Sequence, residues 1–262
     1  MSSSPIHIEL FAGLTSSATS SLIFHPFDTI RINQINKKWP ISTTVKHLLG
    51  DARPRTVFRS LYNAMPVNCL AYSATYGIYF SVNRHFKNEN YFGCSHPYML
   101  YATSSIPATL CSMSVTNPLW TIKSVQMSSC ESAARVISRI YKTSGLCGFQ
   151  KGLLFGYLNG MNGVITFTLY DICKDLFNAQ TSADYLVCSG LSKTCAYFIT
   201  FPIFALRIKH QITQDTLANV FLKQVSAPRT LYYGLSMTLV QMVPRTCVMI
   251  VLYEKFKTLY DH

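Results

Sequence analysis

Two basic side chains stand inside long segments that are otherwise almost free of charge. Lys193 lies nine residues before Pro202, which on a helix places it about 13 Å from that proline. Arg245 directly follows Pro244 in another apolar segment. A cation in such surroundings costs free energy unless an anion neutralises it, so we expect both side chains to bind the anionic part of a solute. A snorkelling lysine and an internally paired arginine are the alternatives.

Polar and aromatic side chains at helical spacing could complete this site. Gln241 lies one helical turn before that arginine and therefore on the same helix face. Tyr72 and Tyr76 are also four residues apart and could stack on a flavin, pterin or adenine ring, although aromatic residues at this spacing are more often core or lipid contacts. Asn159 and Asn162 could hydrogen-bond to the edge of a base, and polar packing between helices explains them nearly as well.

The segments that carry these side chains belong to a pattern that recurs three times. In each copy a segment with few charged residues ends at a proline, and a basic residue follows five positions later. The pairs are Pro26 with Arg31, Pro118 with Lys123, and Pro202 with Arg207. Proline kinks a helix because it lacks an N–H and crowds the carbonyl one turn back. A kink that recurs at near-constant spacing predicts an internal repeat. We therefore expect three repeats, residues 1–92, 93–180 and 181–262, in one structure with threefold pseudo-symmetry.

Composition favours a membrane protein with a wet interior. Hydrophobic residues make up 49% of the 262 residues, charged residues only 13%, and the mean hydropathy is +0.20. The net charge of +12 predicts an anionic partner. Nucleic acid is disfavoured as that partner because the cations lie singly between apolar runs. The nine cysteines form no Cys-x-x-Cys pair and are expected to be small buried thiols rather than metal ligands.

The pattern of apolar and amphipathic segments predicts the helices. Residues 1–9 lack a cationic flank, so no removable targeting peptide is expected. A basic loop is expected at residues 51–59. Three short amphipathic surface helices are expected at 41–49, 131–141 and 216–223. Six long segments are expected to span the membrane, at 10–24, 61–86, 98–116, 152–177, 186–201 and 234–260.

These motifs together resemble the mitochondrial carrier family, whose repeats carry Pro-x-[Asp/Glu]-x-x-[Lys/Arg] at the end of each odd-numbered helix. The stretches that begin Tyr170-Asp171 and Tyr253-Glu254 are similar to the family's [Phe/Tyr]-[Asp/Glu]-x-x-[Lys/Arg] motif. Trp120 in the second proline motif resembles the branch for FAD, folate, NAD and pyrimidine nucleotides, and the stretch ending in Lys193 resembles its FAD and folate carriers. The resemblance implies an all-α membrane protein, with six kinked transmembrane helices in three pseudo-symmetric repeats around a central cavity and three short matrix surface helices.

The same resemblance implies a function. We expect alternating-access transport of FAD, or a related flavin or folate, across the mitochondrial inner membrane, with FAD, folate or NAD as transported solute and no cofactor. An NAD or pyrimidine nucleotide carrier and a degenerate scaffold that does not transport are the alternatives. An enzyme is disfavoured because no nucleophile–base pair, carboxylate pair or metal-spaced cluster is present in the sequence. We expect a monomer in contact with membrane lipids such as cardiolipin, with both termini on the intermembrane-space side.

A matrix gate follows from the family pattern, in which each motif acid pairs with the next motif's base. Asp28 can pair with Lys123, while aromatic residues stand where acids would meet Arg31 and Arg207. Cation–π contacts are expected to replace those two ion pairs, with Trp120 covering Arg207. The family's glutamine, nine residues after each proline, survives once. The expected gate residues are Asp28, Arg31, Trp120, Lys123, Phe204, Arg207 and Gln211.

A cytoplasmic gate is expected at the opposite end. Asp171 could pair with Lys257, and Glu254 with Lys87, while Lys174 ends the fourth long segment. In the family an arginine normally contacts substrate at the position of Gln241. We expect that cation one turn later, at Arg245.

Overall fold

The computed structural model describes residues 6–50, 53–89, 91, 93, 97–160, 162–177, 181–225 and 227–260. These residues are almost entirely helical and contain no strand. The expected all-α fold is thereby confirmed for the part of the chain that the structure describes. Eleven helices follow one another, α1 Ile6–Lys37, α2 Ile41–Leu49, α3 Pro54–Tyr62, α4 Met65–Glu89, α5 Pro97–Ser129, α6 Ala133–Ser144, α7 Leu153–Gly160, α8 Asn162–Leu176, α9 Ser182–Thr213, α10 Leu217–Val225 and α11 Leu235–Tyr260.

The helices repeat a pattern of one long helix, two short segments and another long helix. In the first copy the short segments are α2 and α3, and in the second they are α6 and a 3-10 turn at Leu146–Gln150. In the third they are α10 and a 3-10 turn at Pro228–Tyr232. The second long element of the middle copy is described by α7 and α8, which together cover 153–160 and 162–176 of the segment expected at 152–177.

The motif prolines lie inside long helices rather than at their ends. Pro26, Pro118 and Pro202 each have helical residues on both sides, and each helix continues for eleven residues beyond its proline. The expected long segments, which stopped just before the prolines, were therefore too short. The missing N–H of proline removes one backbone hydrogen bond, and the hydrogen bonds of the neighbouring turns keep the helix continuous across the proline.

The basic loop expected at 51–59 is wrong from Pro54 onward, where the residues form helix α3, and residues 51 and 52 lie outside those that the structure describes. Proline is favourable at the first helical position, where its missing N–H costs no intrahelical bond. Ser60 of α3 donates to the carbonyl of Leu48 in α2 at 3.2 Å and so ties the two helices together, while the rings of Phe58 and Tyr62 stack within α3 at 4.7 Å.

Packing joins the three copies in a closed arrangement. Helix α4 packs on α5, α8 packs on α9, and α11 packs on α1, while α1, α5 and α9 contact one another. The last long helix thus returns to the first, as a threefold pseudo-symmetric bundle requires. Around and beyond their prolines, α1, α5 and α9 contribute to one core cluster, which contains Ile32, Ile35, Met127, Phe201, Ala205 and Ile208.

Two glycines let the starts of α7 and α11 approach α9 and α1 closely. Gly152 before α7 and Gly234 before α11 have φ angles of 83° and 91°. A Cβ atom would lie 3.2 Å from the carbonyl oxygen of Arg207 at the first glycine, and 3.2 Å from that of Arg31 at the second. Glycine allows both the backbone angle and the approach.

Among the described residues, the stretch Val187–Thr213 within α9 is long and apolar enough to cross a membrane by itself.

Candidate functional site

A cavity of about 310 Å³ opens between α1, α4, α9 and α11. Five of the seven side chains expected to bind the solute line it: Tyr72, Tyr76, Lys193, Gln241 and Arg245. The structure also places Ser20, Ser21, Arg31, Tyr197, Thr238 and Met242 in its wall. Of these, Tyr197 and Thr238 could have been found from the sequence, because they lie one helical turn from Lys193 and Gln241.

Lys193 lies half-buried in the wall of this cavity, on α9. Among the side chains that the structure describes, no carboxylate lies within ion-pair distance of it. Its ammonium group is therefore available to an anion in the cavity.

Arg245 is engaged by the protein itself. Its Nη1 lies 3.3 Å from Oδ2 of Asp28, and its Nη2 donates to Tyr72 Oη at 2.9 Å and to Ser21 Oγ at 3.4 Å. The internally paired arginine, the alternative in the sequence analysis, is thus the arrangement in the structure. The sequence did not signal it because Asp28 lies 217 residues away along the chain.

Asp28 is the centre of the polar network at this end of the cavity. The side chain is fully buried and has four partners from three helices. Arg31 Nη2 lies at 3.0 Å, Gln241 Nε2 donates at 3.1 Å, Arg245 lies at 3.3 Å, and Lys123 Nζ lies at 3.9 Å. The expected pair with Lys123 is present, and the expectation that Arg31 lacks a carboxylate partner is wrong.

Aromatic rings cover two of the motif cations. The guanidinium carbon of Arg31 lies 4.9 Å from the centroid of the Phe204 ring, as the sequence predicted. The second contact differs, since Lys123 and not Arg207 lies over the Trp120 ring, at 4.8 Å. Trp120 donates its indole N–H to Thr75 Oγ1 at 3.1 Å, which turns the ring toward α4.

Arg207 lies apart from this network. It is only 8% exposed, and its one hydrogen bond to a described side chain goes to Asn117 Oδ1 at 3.4 Å. Gln211, one turn later, is buried and accepts a hydrogen bond from Ser124 at 2.8 Å across the α5–α9 contact. Ile35 and Met127 fill the corresponding places in the other repeats and belong to the apolar cluster.

The tyrosine pair on α4 presents one accessible ring. Tyr72 and Tyr76 have centroids 6.2 Å apart and planes 15° apart, so they are nearly parallel. Tyr72 is occupied on one side by Arg245 and meets Trp120 edge-on at 5.0 Å. Tyr76 is 38% exposed and is the ring that a flat solute could reach.

The two asparagines of the fourth long segment do not line the cavity. Asn162 donates to Thr200 Oγ1 at 2.7 Å and so ties α8 to α9. Asn159 is half-buried in α7. For Asn162 the packing explanation from the sequence analysis is therefore the one that the structure supports.

The opposite end of the bundle carries the residues expected in the cytoplasmic gate. Asp171 and Lys174 are exposed on α8, and Lys174 lies 5.8 Å from the centroid of the Tyr185 ring. Lys87 is half-buried near the end of α4. The side chains of Glu254 and Lys257 lie outside those that the structure describes, so the two expected pairs stay predictions.

Chemically, this arrangement can hold an anion but carries no obvious reaction centre. His25, beside the network, is fully buried, stacks on Tyr62 at 5.9 Å and lies 3.4 Å from the Asn68 amide nitrogen. It is a packed histidine. No group of three possible metal ligands occurs among the described residues.

Comparison with known proteins agrees with the geometry. The family model "Mitochondrial carrier protein" matches the chain three times, at residues 2–91, 95–181 and 178–262. The chain is 26% identical to an uncharacterised mitochondrial carrier of Schizosaccharomyces pombe, over 95% of this chain and 97% of that protein. It is 23% identical to the mitochondrial FAD carrier protein FLX1 of Saccharomyces cerevisiae, over 97% of both. It is 25% identical to mouse solute carrier family 25 member 36, over 85% of this chain and 80% of that protein.

The three family matches run in register with the three copies of the helical pattern and with the three proline motifs. Members of this family are membrane transporters rather than enzymes. The resemblance stated from the sequence is confirmed: this protein belongs to the mitochondrial carrier family.

Proposed function

We propose that this carrier moves FAD, or a related flavin or folate, across the mitochondrial inner membrane by alternating access. The observation that carries the proposal is a cavity that offers Lys193, a cation without a described carboxylate partner, together with Arg31, Arg245 and the accessible ring of Tyr76. The full-length similarity to the yeast FAD carrier supports the choice of solute.

The chemistry of the cavity suits a solute that joins an anionic group to a flat ring. Lys193 and the two arginines can replace water around a pyrophosphate or a pair of carboxylates. An aromatic side chain such as Tyr76 can stack on an isoalloxazine or pterin ring. Serine and threonine hydroxyls in the wall, from Ser20, Ser21 and Thr238, can accept or donate further hydrogen bonds.

Two other functions remain as alternatives. An NAD or pyrimidine nucleotide carrier would use the same cations, because both solutes carry phosphate. A carrier fold that serves as a scaffold without transport is favoured by one observation, namely that the three proline motifs contain a single carboxylate, Asp28.

Alternating access requires a gate at each end of the cavity. At the proline end, Asp28 and its partners join α1, α5 and α11 without exposure of the carboxylate. We propose that this network is the closed matrix gate and that Lys87, Asp171, Lys174, Glu254 and Lys257 close the opposite end in the other state.

The remaining proposals concern topology and surroundings. Six crossings, by α1, α4, α5, α7 with α8, α9 and α11, would leave both termini on the same side of the membrane, and we propose that this is the intermembrane-space side. We further propose a monomer in contact with cardiolipin. Protease treatment of intact mitoplasts carrying a tag at either end should remove both tags, and protection of one tag alone would contradict this topology.

Exchange in liposomes tests the transported solute. Purified protein should exchange labelled FAD faster than labelled folate, NAD or UTP, and preference for another solute would select the corresponding alternative. Lys193→Met should slow FAD exchange at least tenfold, on the order of 1.4 kcal/mol. Lys223→Met is the matched control, because this lysine is exposed on α10, away from the cavity. Equal rates in the two variants would exclude Lys193 as a solute ligand, and no exchange of any solute by the wild type would favour the scaffold.

A further inference from the structure

A buried histidine near the end of α9 joins this helix to the start of α7. The side chain of His210 is only 8% exposed. Its Nδ1 accepts a hydrogen bond of 3.0 Å from the backbone N–H of Gly152, the residue immediately before α7. The ring also meets Phe155 of α7 edge-on, with centroids 6.0 Å apart. His210 therefore fixes both the backbone and a side chain at the beginning of α7.

The hydrogen bond from Gly152 exists only while His210 is neutral. A neutral imidazole has one protonated nitrogen and one nitrogen that accepts a hydrogen bond, whereas a protonated imidazole has two donors and no acceptor. Protonation of His210 would place its new N–H group against the N–H group of Gly152. A backbone N–H that loses its partner in a buried place destabilises the arrangement that buries it.

The other repeats show that a junction of this kind does not require a histidine. Eight positions after their motif prolines the chain carries Gln34 and Gln126, which do not titrate. Gln126 is buried like His210, and its Nε2 donates at 3.0 Å to the carbonyl of Asn63, shortly before α4. In the second and third repeats, the side chain at this position thus bonds to the backbone that leads into a neighbouring helix. The third repeat carries the version that can respond to protons.

The charged neighbours of His210 would make its protonation more disruptive. A proton on the ring would add a positive charge near Lys151, which precedes α7. Lys209, the preceding residue on α9, donates to a carbonyl of α1. The nearby carboxylate belongs to Asp215, which follows α9 and is already paired with Lys223 of α10 at 3.1 Å. Repulsion between the imidazolium and Lys151 would therefore add to the loss of the hydrogen bond.

We infer that His210 is a proton-sensitive positioning residue. The neutral ring holds the start of α7 against α9, and the protonated ring releases Gly152 and lets α7 move away. Exchange should slow when the compartment at the proline end becomes acidic, because each transport cycle has to return to the arrangement in which α7 is held. The inference uses the proposed function only in assuming that the protein transports a solute. The stability of the junction can be measured without transport.

Thermal unfolding in detergent tests the junction itself. The full-length protein is compared at about pH 8 and about pH 5, the range over which histidines normally gain a proton. The unfolding midpoint of the wild type should fall on acidification. The fall should be clearly smaller in His210→Gln, which copies the other two repeats, because an amide oxygen can accept from Gly152 at either pH. His210→Leu should be less stable than the wild type at the higher pH, since the N–H of Gly152 then has no acceptor, and should also lose the extra fall.

Exchange of labelled FAD in liposomes tests the consequence for transport. Acidification of both sides over the same range should slow the wild type roughly fivefold more than His210→Gln, which is the lower end of the usual coupling between two sites. The ratio between the two proteins removes any effect of pH on FAD itself. His47→Gln removes an exposed histidine of α2 and is the matched control. This variant should keep the pH profile of the wild type.

Equal pH profiles of the wild type and His210→Gln, in unfolding or in exchange, would overturn the inference, and so would a wild type that does not respond to acidification. If His210→Leu does not fold, the comparison between the wild type and His210→Gln decides. If none of the proteins exchanges any solute, the proposed function fails, while unfolding midpoints that diverge on acidification still support the proton-sensitive role of His210.

Discussion

Arg31 and Arg207 occupy equivalent places, five residues after the proline of the first and third repeats, yet their surroundings differ. Arg31 has Asp28 at 3.0 Å on its own helix and the Phe204 ring at 4.9 Å. Arg207 has the amide oxygen of Asn117 at 3.4 Å. The third repeat carries Phe204 at the position where the first carries Asp28.

This difference shows that the same motif can have different structural roles in different repeats. In the first repeat the motif supplies the charge that links three helices. In the third it supplies an aromatic ring to the first repeat and keeps a buried cation that has no carboxylate among the described side chains. A network with one carboxylate depends on that residue far more than a network with three equivalent ion pairs would.

The largest effect is expected from Asp28→Ala. The change leaves three cations of the network without their counter-charge in a buried setting, which typically costs about 3–5 kcal/mol. Thermal unfolding in detergent should show the lowest midpoint of all the variants considered. Asp171→Ala is the control, because this exposed carboxylate makes no ion pair with a described side chain. Similar midpoints for the two variants would show that the network contributes little to stability.

Replacing each arginine by methionine tests the comparison directly. Arg31→Met removes the shortest ion pair of Asp28 and should destabilise the protein by about 1–2 kcal/mol, since two other cations remain. Arg207→Met removes a buried charge without a carboxylate partner and should be neutral or stabilising, by up to about 4 kcal/mol. The two unfolding midpoints should therefore move apart. If both variants are destabilised equally, Arg207 is stabilised by a partner other than the side chains that contact it in this structure.

Local features of the fold could be predicted, because they depend on residues close in sequence. The three prolines and the amphipathic segments gave the repeat, and α2 begins and ends where the sequence placed it. Helix α3 was missed because the arginines within 51–59 are typical of a basic loop. Pro54 at its first position and the aromatic pair Phe58 and Tyr62 were signals for a helix.

The site could be predicted as a set of residues but not as a network. Lys193, Gln241 and Arg245 were found because polar residues in apolar segments are conspicuous. That Arg245 would reach Asp28 depends on how α11 packs against α1, more than 200 residues away in the chain. Nothing in the local sequence around either residue encodes that contact.

A smaller effect is expected from Phe204→Leu, which removes the ring next to Arg31. A cation–π contact of this kind is worth about 1–2 kcal/mol when it is partly desolvated. Phe204→Tyr keeps the ring and serves as the control. The leucine variant should unfold at a lower temperature than the tyrosine variant, and its proline-end gate should leak more solute. If leucine and tyrosine behave alike, the ring of Phe204 only fills space.

The smallest effect is expected from Trp120→Phe. This variant tests whether the second repeat depends on a polar link between helices, as the first does, or mainly on an aromatic ring, as the third does. The variant keeps an aromatic ring for Lys123, which lies 4.8 Å from the tryptophan ring, and loses the indole N–H. The lost hydrogen bond to Thr75 should cost about 1 kcal/mol or less, because the Thr75 hydroxyl still has Ala71 and Thr116 as partners. Exchange rates should therefore stay close to those of the wild type. If Trp120→Phe abolishes transport, the hydrogen bond between α5 and α4 is part of the gate, and the second repeat resembles the first more than the third.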